Sequence, residues 1–155
     1  MAFRRVVTTE IDGRSVLVSD EVVPTIDAGA TQAEMIWRGD PPPDIPNDGK
    51  IDETIAFPAP GGVWLATWIL GAGKSAVAEN DLFELSTERR GFHQTDTIDI
   101  NFVERGSVVL EVDDGSIELT AGDVAIVNGN MHAWHNRGTE EVRVIVTMIG
   151  AARAS

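Results

Sequence analysis

Two histidines and one aspartate carry the chemistry that this sequence offers. The stretch GFHQTDTIDINFVERG, residues 91–106, opens on His93 and holds Asp99; the stretch AGDVAIVNGNMHAWHNRG, residues 121–138, supplies His132. Imidazoles and carboxylates ligate divalent transition metals, and they also move protons near neutral pH. A carboxylate in a dry cavity prefers its neutral form, so its pKa rises, whereas an imidazole beside it favours the charged pair. Such a set suits a dehydration, an isomerisation through an enol or a decarboxylation.

Strand alternation turns these residues into geometry. In HQTDTIDINFV, His93, Thr95, Thr97, Asp99 and Asn101 share one face, and Ile98, Ile100 and Phe102 share the other. In the second stretch His132, Trp134 and Asn136 face one way and His135 the other, which places His135 at the surface or an interface. Asp96 and Glu104 also fall on the outward parity and read as solvated or interfacial charges. Thr95 and Asn101 are expected to orient a substrate oxygen. Trp134, with Trp64 or Trp68, is expected to stack on a ring or form an apolar wall, and Asn136 completes the predicted substrate-binding set. Singly, each histidine reads as a hydrogen-bonded structural residue and each tryptophan as core. Their shared parity is what points to a cavity.

The elements that must position these groups are strands. RRVVTTEIDG and GRSVLVSDEVV, rich in β-branched residues and joined through Asp-Gly, predict a hairpin. AEMIW is a short candidate strand. Residues 38–62, crowded with proline, glycine and aspartate, fit neither strand nor long helix and predict a loop over a cavity mouth or a subunit boundary. Their Arg-Gly-Asp tripeptide reads as chance. GGVWLATWIL is a strand apolar on both faces. GAGKS, which follows, imitates the end of a phosphate-binding loop, but Trp68 stands where the first glycine belongs and no clear helix follows, so nucleotide binding is rejected. AVAENDLFELSTERRG suits a short helix or a hairpin loop. From Thr95 onward TDTIDINFVE, SVVLEVD, SIELTA, VAIVNG, MHAWHN and EVRVIVTMI are separated by glycine-bearing turns, the pattern of a sandwich or barrel.

Composition narrows the partners. With 155 residues, 43% apolar and 24% charged, the chain suits one soluble globular domain. A formal net charge of −13 repels a phosphate backbone, so nucleic acid is not an expected partner. The absence of cysteine rules out disulfide and thiolate chemistry. No apolar run suits a signal peptide or a membrane span, so a cytoplasmic protein without a membrane partner is expected. Open sheet edges need cover, and an N-terminal hairpin pairing with a second copy would give a homodimer.

The two stretches resemble the paired motifs of the cupin superfamily, small jelly-roll barrels. His93 matches the first histidine of the first motif and Gly106 its closing glycine; Thr95 stands at the second histidine and Asp99 at the glutamate. Gly122, Gly129, His132 and Asn136 match the second motif, with one residue fewer between the first two and Val127 at the usual proline. The resemblance implies an all-β, cupin-type jelly-roll β-barrel with an N-terminal β-hairpin extension. Residues 1–155 would form one domain: N-terminal strands over 1–37, the proline-rich loop over 38–62 and the barrel with both motifs over 63–150. It also implies a divalent transition metal (Fe, Mn, Zn or Ni) held by His93, Asp99 and His132, and neither nucleotide nor haem. The same three residues are the expected catalytic set. Three functions follow: a lyase- or isomerase-type enzyme on a small carbonyl- or hydroxyl-bearing compound, metal-assisted or by proton transfer; a non-haem iron dioxygenase with two histidines and one carboxylate; or a metabolite-binding protein without turnover.

Overall fold

The computed structural model describes residues 4–11, 14–29, 31–39, 44–51, 53, 56–76, 84–85, 89, 91–113 and 115–153. Strands β1 (Arg4–Ile11), β2 (Arg14–Val22), β3 (Ile26–Ala28), β4 (Thr31–Gly39) and β5 (Val63–Leu70) are followed by the short pair β6 (Glu84–Leu85) and β7 (His93–Gln94). Then come β8 (Thr97–Arg105), β9 (Ser107–Val112), β10 (Gly115–Thr120), β11 (Val124–Asn128), β12 (Ala133–His135) and β13 (Val142–Gly150). Every strand pairing is antiparallel.

One six-stranded sheet, in the order β11-β8-β13-β5-β4-β3, faces a smaller sheet, β10-β9-β12. The smaller sheet continues sideways through an isolated bridge between His93 and His132, which joins β7 and its partner β6 to the β12 segment. The predicted hairpin is present as β1–β2 and, among the described residues, pairs with no other strand. AEMIW is the middle of a longer strand, β4. The stretch expected to run unbroken from His93 is interrupted at Thr95 and Asp96, where the chain leaves the smaller sheet for the larger one. Side-chain alternation survives the break. Of the segment expected as a short helix or hairpin loop, Glu84 and Leu85 pair with β7, while residues 77–83, 86–88 and 90 lie outside the described residues. Among the described residues, no helix is long and apolar enough to cross a membrane.

The core has two parts. Leu70, Val103, Val108, Val127, Trp134, Val142 and Val144 pack at one end of the barrel. Met35, Trp64, Ala66 and Val146 pack at the other, with Ile51, Ala56 and Phe57 from the proline-rich segment laid against them. Two backbone bonds fix the end of that segment to the last residue of β13: Gly61 N donates to Gly150 O (2.9 Å) and Gly150 N to Gly62 O (2.9 Å). A Cβ at Gly150 would sit 2.0 Å from Ala59 O, so only glycine permits this approach. Gly106 closes the β8–β9 turn at φ 82°, where an added Cβ would meet Glu141 O at 2.8 Å.

Strand β8 reverses the usual arrangement of polarity. Thr97, Asp99 and Asn101 point inward and are buried, while Ile98, Ile100 and Phe102 point outward and are 36–39% exposed. In the ladder with β11, Phe102 stands opposite Val124 and Ile100 opposite Ile126, both 52% exposed, so the outer surface carries a contiguous apolar stripe.

Candidate active site

The backbone brings the two site histidines together. His93 N donates to His132 O (2.9 Å) and His132 N to His93 O (3.0 Å), so the two residues form a bridge and their rings lie with centroids 4.4 Å apart. Each ring is anchored through Nδ1, His93 to Gly91 O (3.0 Å) and His132 to Asn130 O (2.9 Å). A carbonyl oxygen only accepts, so each Nδ1 carries the proton. Burial lowers the pKa of His93. Burial, and then the neighbouring His93, push His132 down to about 4. Both rings are therefore neutral at pH 7, and the Nε2 of His132 presents a lone pair.

Asp99 projects from the middle of β8 into the same cavity. Its Oδ1 is buried and has no hydrogen-bond partner, which is rare for a carboxylate oxygen. Burial raises its pKa to about 6, opposed by a hydrogen bond from Thr97. Thr95 and Thr97 share a hydroxyl hydrogen bond of 2.7 Å. Trp68 Nε1 donates to Asn101 Oδ1 across 3.4 Å, which ties the polar wall to the apolar one.

These groups line a cavity of about 140 Å³ between the two core clusters. Thr95, Asn101 and Trp134 line it beside His93, Asp99 and His132. Trp64 and Trp68 line it too, although each also packs in the core. Trp134 meets Trp68 (centroids 5.3 Å) and stands edge-on to His132 (6.0 Å). Sequence reasoning did not single out Met35, Phe57 and Met148. Phe57 comes from the proline-rich segment, where no periodicity marks an inward residue; Met35 and Met148 sit on strands whose alternation could have marked them. Among the described residues no lysine or arginine lines the cavity.

Asn136 departs from expectation. The strand that should have carried it inward ends at His135, and Asn136 lies outside the cavity with its side chain fully engaged elsewhere. Its Nδ2 donates to Leu70 O (2.9 Å) and Glu140 O (2.8 Å), and its Oδ1 accepts from Gly138 N (2.9 Å). It is a clamp on the β12–β13 turn. His135, predicted to be exposed or interfacial, is half-buried: its Nδ1 shares a hydrogen bond with Ser75 Oγ (2.8 Å), and its Nε2 lies 3.0 Å from Glu111 Oε2.

The donor types suit a metal better than their placement does. An inward imidazole anchored through its other nitrogen, together with an unpartnered carboxylate oxygen, is what a ligand set looks like before loading. Yet among the described residues no three of histidine, cysteine, aspartate and glutamate come close enough together to hold an ion. The position of the cupin motif's second histidine holds Thr95, whose hydroxyl is bonded to Thr97. The residues present therefore do not fit a centre with three protein ligands.

Residues 84–148 match the family described as Cupin domain. No curated protein matches the chain in sequence. Among solved structures the fold is similar to an RmlC-like cupin from Shewanella frigidimarina, at 14% identity and a TM-score of 0.51, covering 84% of this chain and 86% of that one. It is also similar to KdgF from Halomonas sp., at 12% identity and a TM-score of 0.50, covering 81% and 86%. At these identities the likeness concerns the fold. The inward polar face of β8, the bridged histidines and the antiparallel sheets around them agree with these comparisons: residues 84–148 match a cupin domain, and the fold is an all-β cupin barrel.

Proposed function

We propose that the protein is a small-molecule enzyme of lyase or isomerase type, acting by proton transfer on a carbonyl- and hydroxyl-bearing compound held in the barrel cavity. The observation that carries this reading is the buried Asp99 carboxyl, one oxygen of which has no hydrogen-bond partner, in the wall of a cavity that also holds two neutral imidazoles. As carboxylate, Asp99 removes a proton from the carbon beside the substrate carbonyl, leaving an enolate. As the resulting carboxylic acid, it returns that proton. Delivery to the former carbonyl carbon, with the hydroxyl proton passing to the former carbonyl oxygen, gives the isomeric hydroxy ketone; delivery to a hydroxide departing from the next carbon gives water and an unsaturated product. His132 accepts a hydrogen bond from a substrate hydroxyl through Nε2, and Asn101 and the Thr95–Thr97 pair hold the polar side of the substrate in place. The tryptophans exclude water from the reacting carbon.

The test is hydrogen exchange. Incubation of the protein with small α-hydroxy ketones in D2O should place deuterium at the carbon beside the carbonyl, and Asp99→Asn should abolish the exchange. The metal content of protein purified without added metal is measured in parallel, with His132→Ala for comparison. A stoichiometric transition metal, lost in that variant and required for exchange, would replace proton transfer with a metal-centred reading; oxygen uptake by iron-loaded protein would favour the dioxygenase. Tight binding of a hydroxy ketone without exchange would leave a binding protein.

The assembly we infer is a homodimer formed through the outer face of β8 and β11. The apolar stripe there carries no charge at its centre, on a chain whose net charge is −13, so it is a surface on which two acidic copies can meet. A lone two-stranded hairpin is marginal in water, and β2 adds exposed Leu17 and Val22 that need a partner surface.

A further inference from the structure

Resting on the proton-transfer reading above, we infer that the cavity selects a neutral compound that carries, beside its carbonyl, two hydroxyl groups on adjacent carbons of an apolar frame, and rejects anions. Asn101 Nδ2, 3.5 Å from Asp99 O, offers the ligand a donor, and Asp99, His132 and the threonine pair offer acceptors. Asp99 Oδ1 has no partner. His132 spends its one proton on Asn130 O, so its Nε2 takes a hydrogen bond and cannot give one. Thr95 and Thr97 share one hydroxyl hydrogen bond and Thr97 gives another to Asp99, so the pair offers a ligand lone pairs only. A ligand that only accepts, such as an ether or an isolated ketone, would leave the carboxylate oxygen and the imidazole lone pair buried and unmatched. Two hydroxyls satisfy both.

Charge and spacing narrow the class further. Among the described residues no lysine or arginine lines the cavity, so a phosphate ester or a carboxylate would enter beside Asp99 with no compensating cation from them. A single metal ion needs its donors around one point, and the histidines and Asp99 are not gathered in that way. Donors spread over two carbons can reach acceptors that one ion cannot. The remaining wall, Trp64, Trp68, Trp134, Phe57, Met35 and Met148, suits the hydrocarbon side of a compact ring.

The experiment is a titration of the full chain, treated with chelator, followed by tryptophan fluorescence. The probes are trans-cyclohexane-1,2-diol, its dimethyl ether, cyclohexanecarboxylate and Mn²⁺. The diol should bind saturably, with the ether and the carboxylate at least about tenfold weaker, the discrimination expected of buried polar atoms left unpaired. Asp99→Asn, which replaces an acceptor oxygen by a donor, should weaken the diol by a similar factor while circular dichroism stays native. Equal binding of the ether or the carboxylate overturns the inference, as does one equivalent of Mn²⁺ bound with no saturable response to the diol. The native protein's ranking of the four probes decides the matter even if the variant fails to fold. Deuterium exchange separates this inference from the reading beneath it. Diol binding without exchange into 2-hydroxycyclohexanone removes the catalytic reading and keeps the specificity; equal exchange into cyclohexanone and 2-hydroxycyclohexanone keeps the catalysis and removes the specificity.

Discussion

His93 and His132 are paired twice over, by reciprocal backbone hydrogen bonds of 2.9 and 3.0 Å and by rings 4.4 Å apart, and each ring donates Nδ1–H to the carbonyl two residues before it. The backbone thus sets the tautomer of both. Neither ring needs a carboxylate to fix its tautomer, and Asp99 Oδ1 has no hydrogen-bond partner.

The rate of proton exchange should therefore follow the ionisation of Asp99. Burial raises its pKa to about 6, and the base form is the carboxylate, so the rate climbs with pH through about 6 and levels off above it. A pH profile of deuterium incorporation checks this. A profile flat from pH 5 to 8 would remove Asp99 from the role.

Stability should carry two opposed pH dependences. Asp99 has a raised folded pKa: the folded state binds the extra proton, so stability present below about pH 4 is lost as pH rises through about 6. His132 has a folded pKa pushed down to about 4, so the unfolded state binds more protons between about 4 and 6.5, and stability is lost as pH falls through that window. At roughly 1.4 kcal/mol per unit, each is worth about 3 kcal/mol, and they offset one another in the native protein. Asp99→Asn should unmask the histidine, giving a protein that is more stable than wild type at pH 7 and loses stability more steeply on acidification. Urea melts at pH 4.5, 5.5 and 7 measure both slopes; parallel curves for the two proteins would refute this balance.

Asn136→Ala should damage the fold and spare the chemistry. Three hydrogen bonds disappear, and the carbonyls of Leu70 and Glu140 lose a buried partner, a loss of roughly 2–4 kcal/mol. Exchange per folded molecule should stay within about twofold of wild type, because Asn136 does not line the cavity. A stable variant with lost ligand binding would return Asn136 to the substrate.

The outer stripe gives a separate test. Ile100→Asp and Ile126→Asp place charge on exposed positions and should leave the monomer folded. Sedimentation at micromolar concentration should give a dimer for the native chain and a monomer for the double variant. A native monomer, or a dimer indifferent to both changes, would move the interface elsewhere.

The sequence announced most of this site through one property, the alternation of β8. Thr97, Asp99 and Asn101 are inward because every second residue must be, and the break at Thr95 and Asp96 does not shift the phase. The same rule failed at Asn136 because β12 stops one residue before it; alternation holds only while the strand lasts. Phe57 was invisible for a related reason. It lies on an irregular segment, and its inward position depends on contacts with Trp64 and its neighbours that no local pattern encodes. The hairpin was legible from its turn and β-branched residues, whereas the outward exposure of Ile98, Ile100 and Phe102 ran against hydropathy and required the opposite face to be identified first.

The reversed polarity of β8 leaves that strand without a silent position. A slip of one residue in its pairing would exchange the two faces at a stroke, drowning Asp99 in solvent and filling the cavity with isoleucine and phenylalanine. The proposed catalysis and the proposed self-association would then fail together, because both rest on the register of a single ladder.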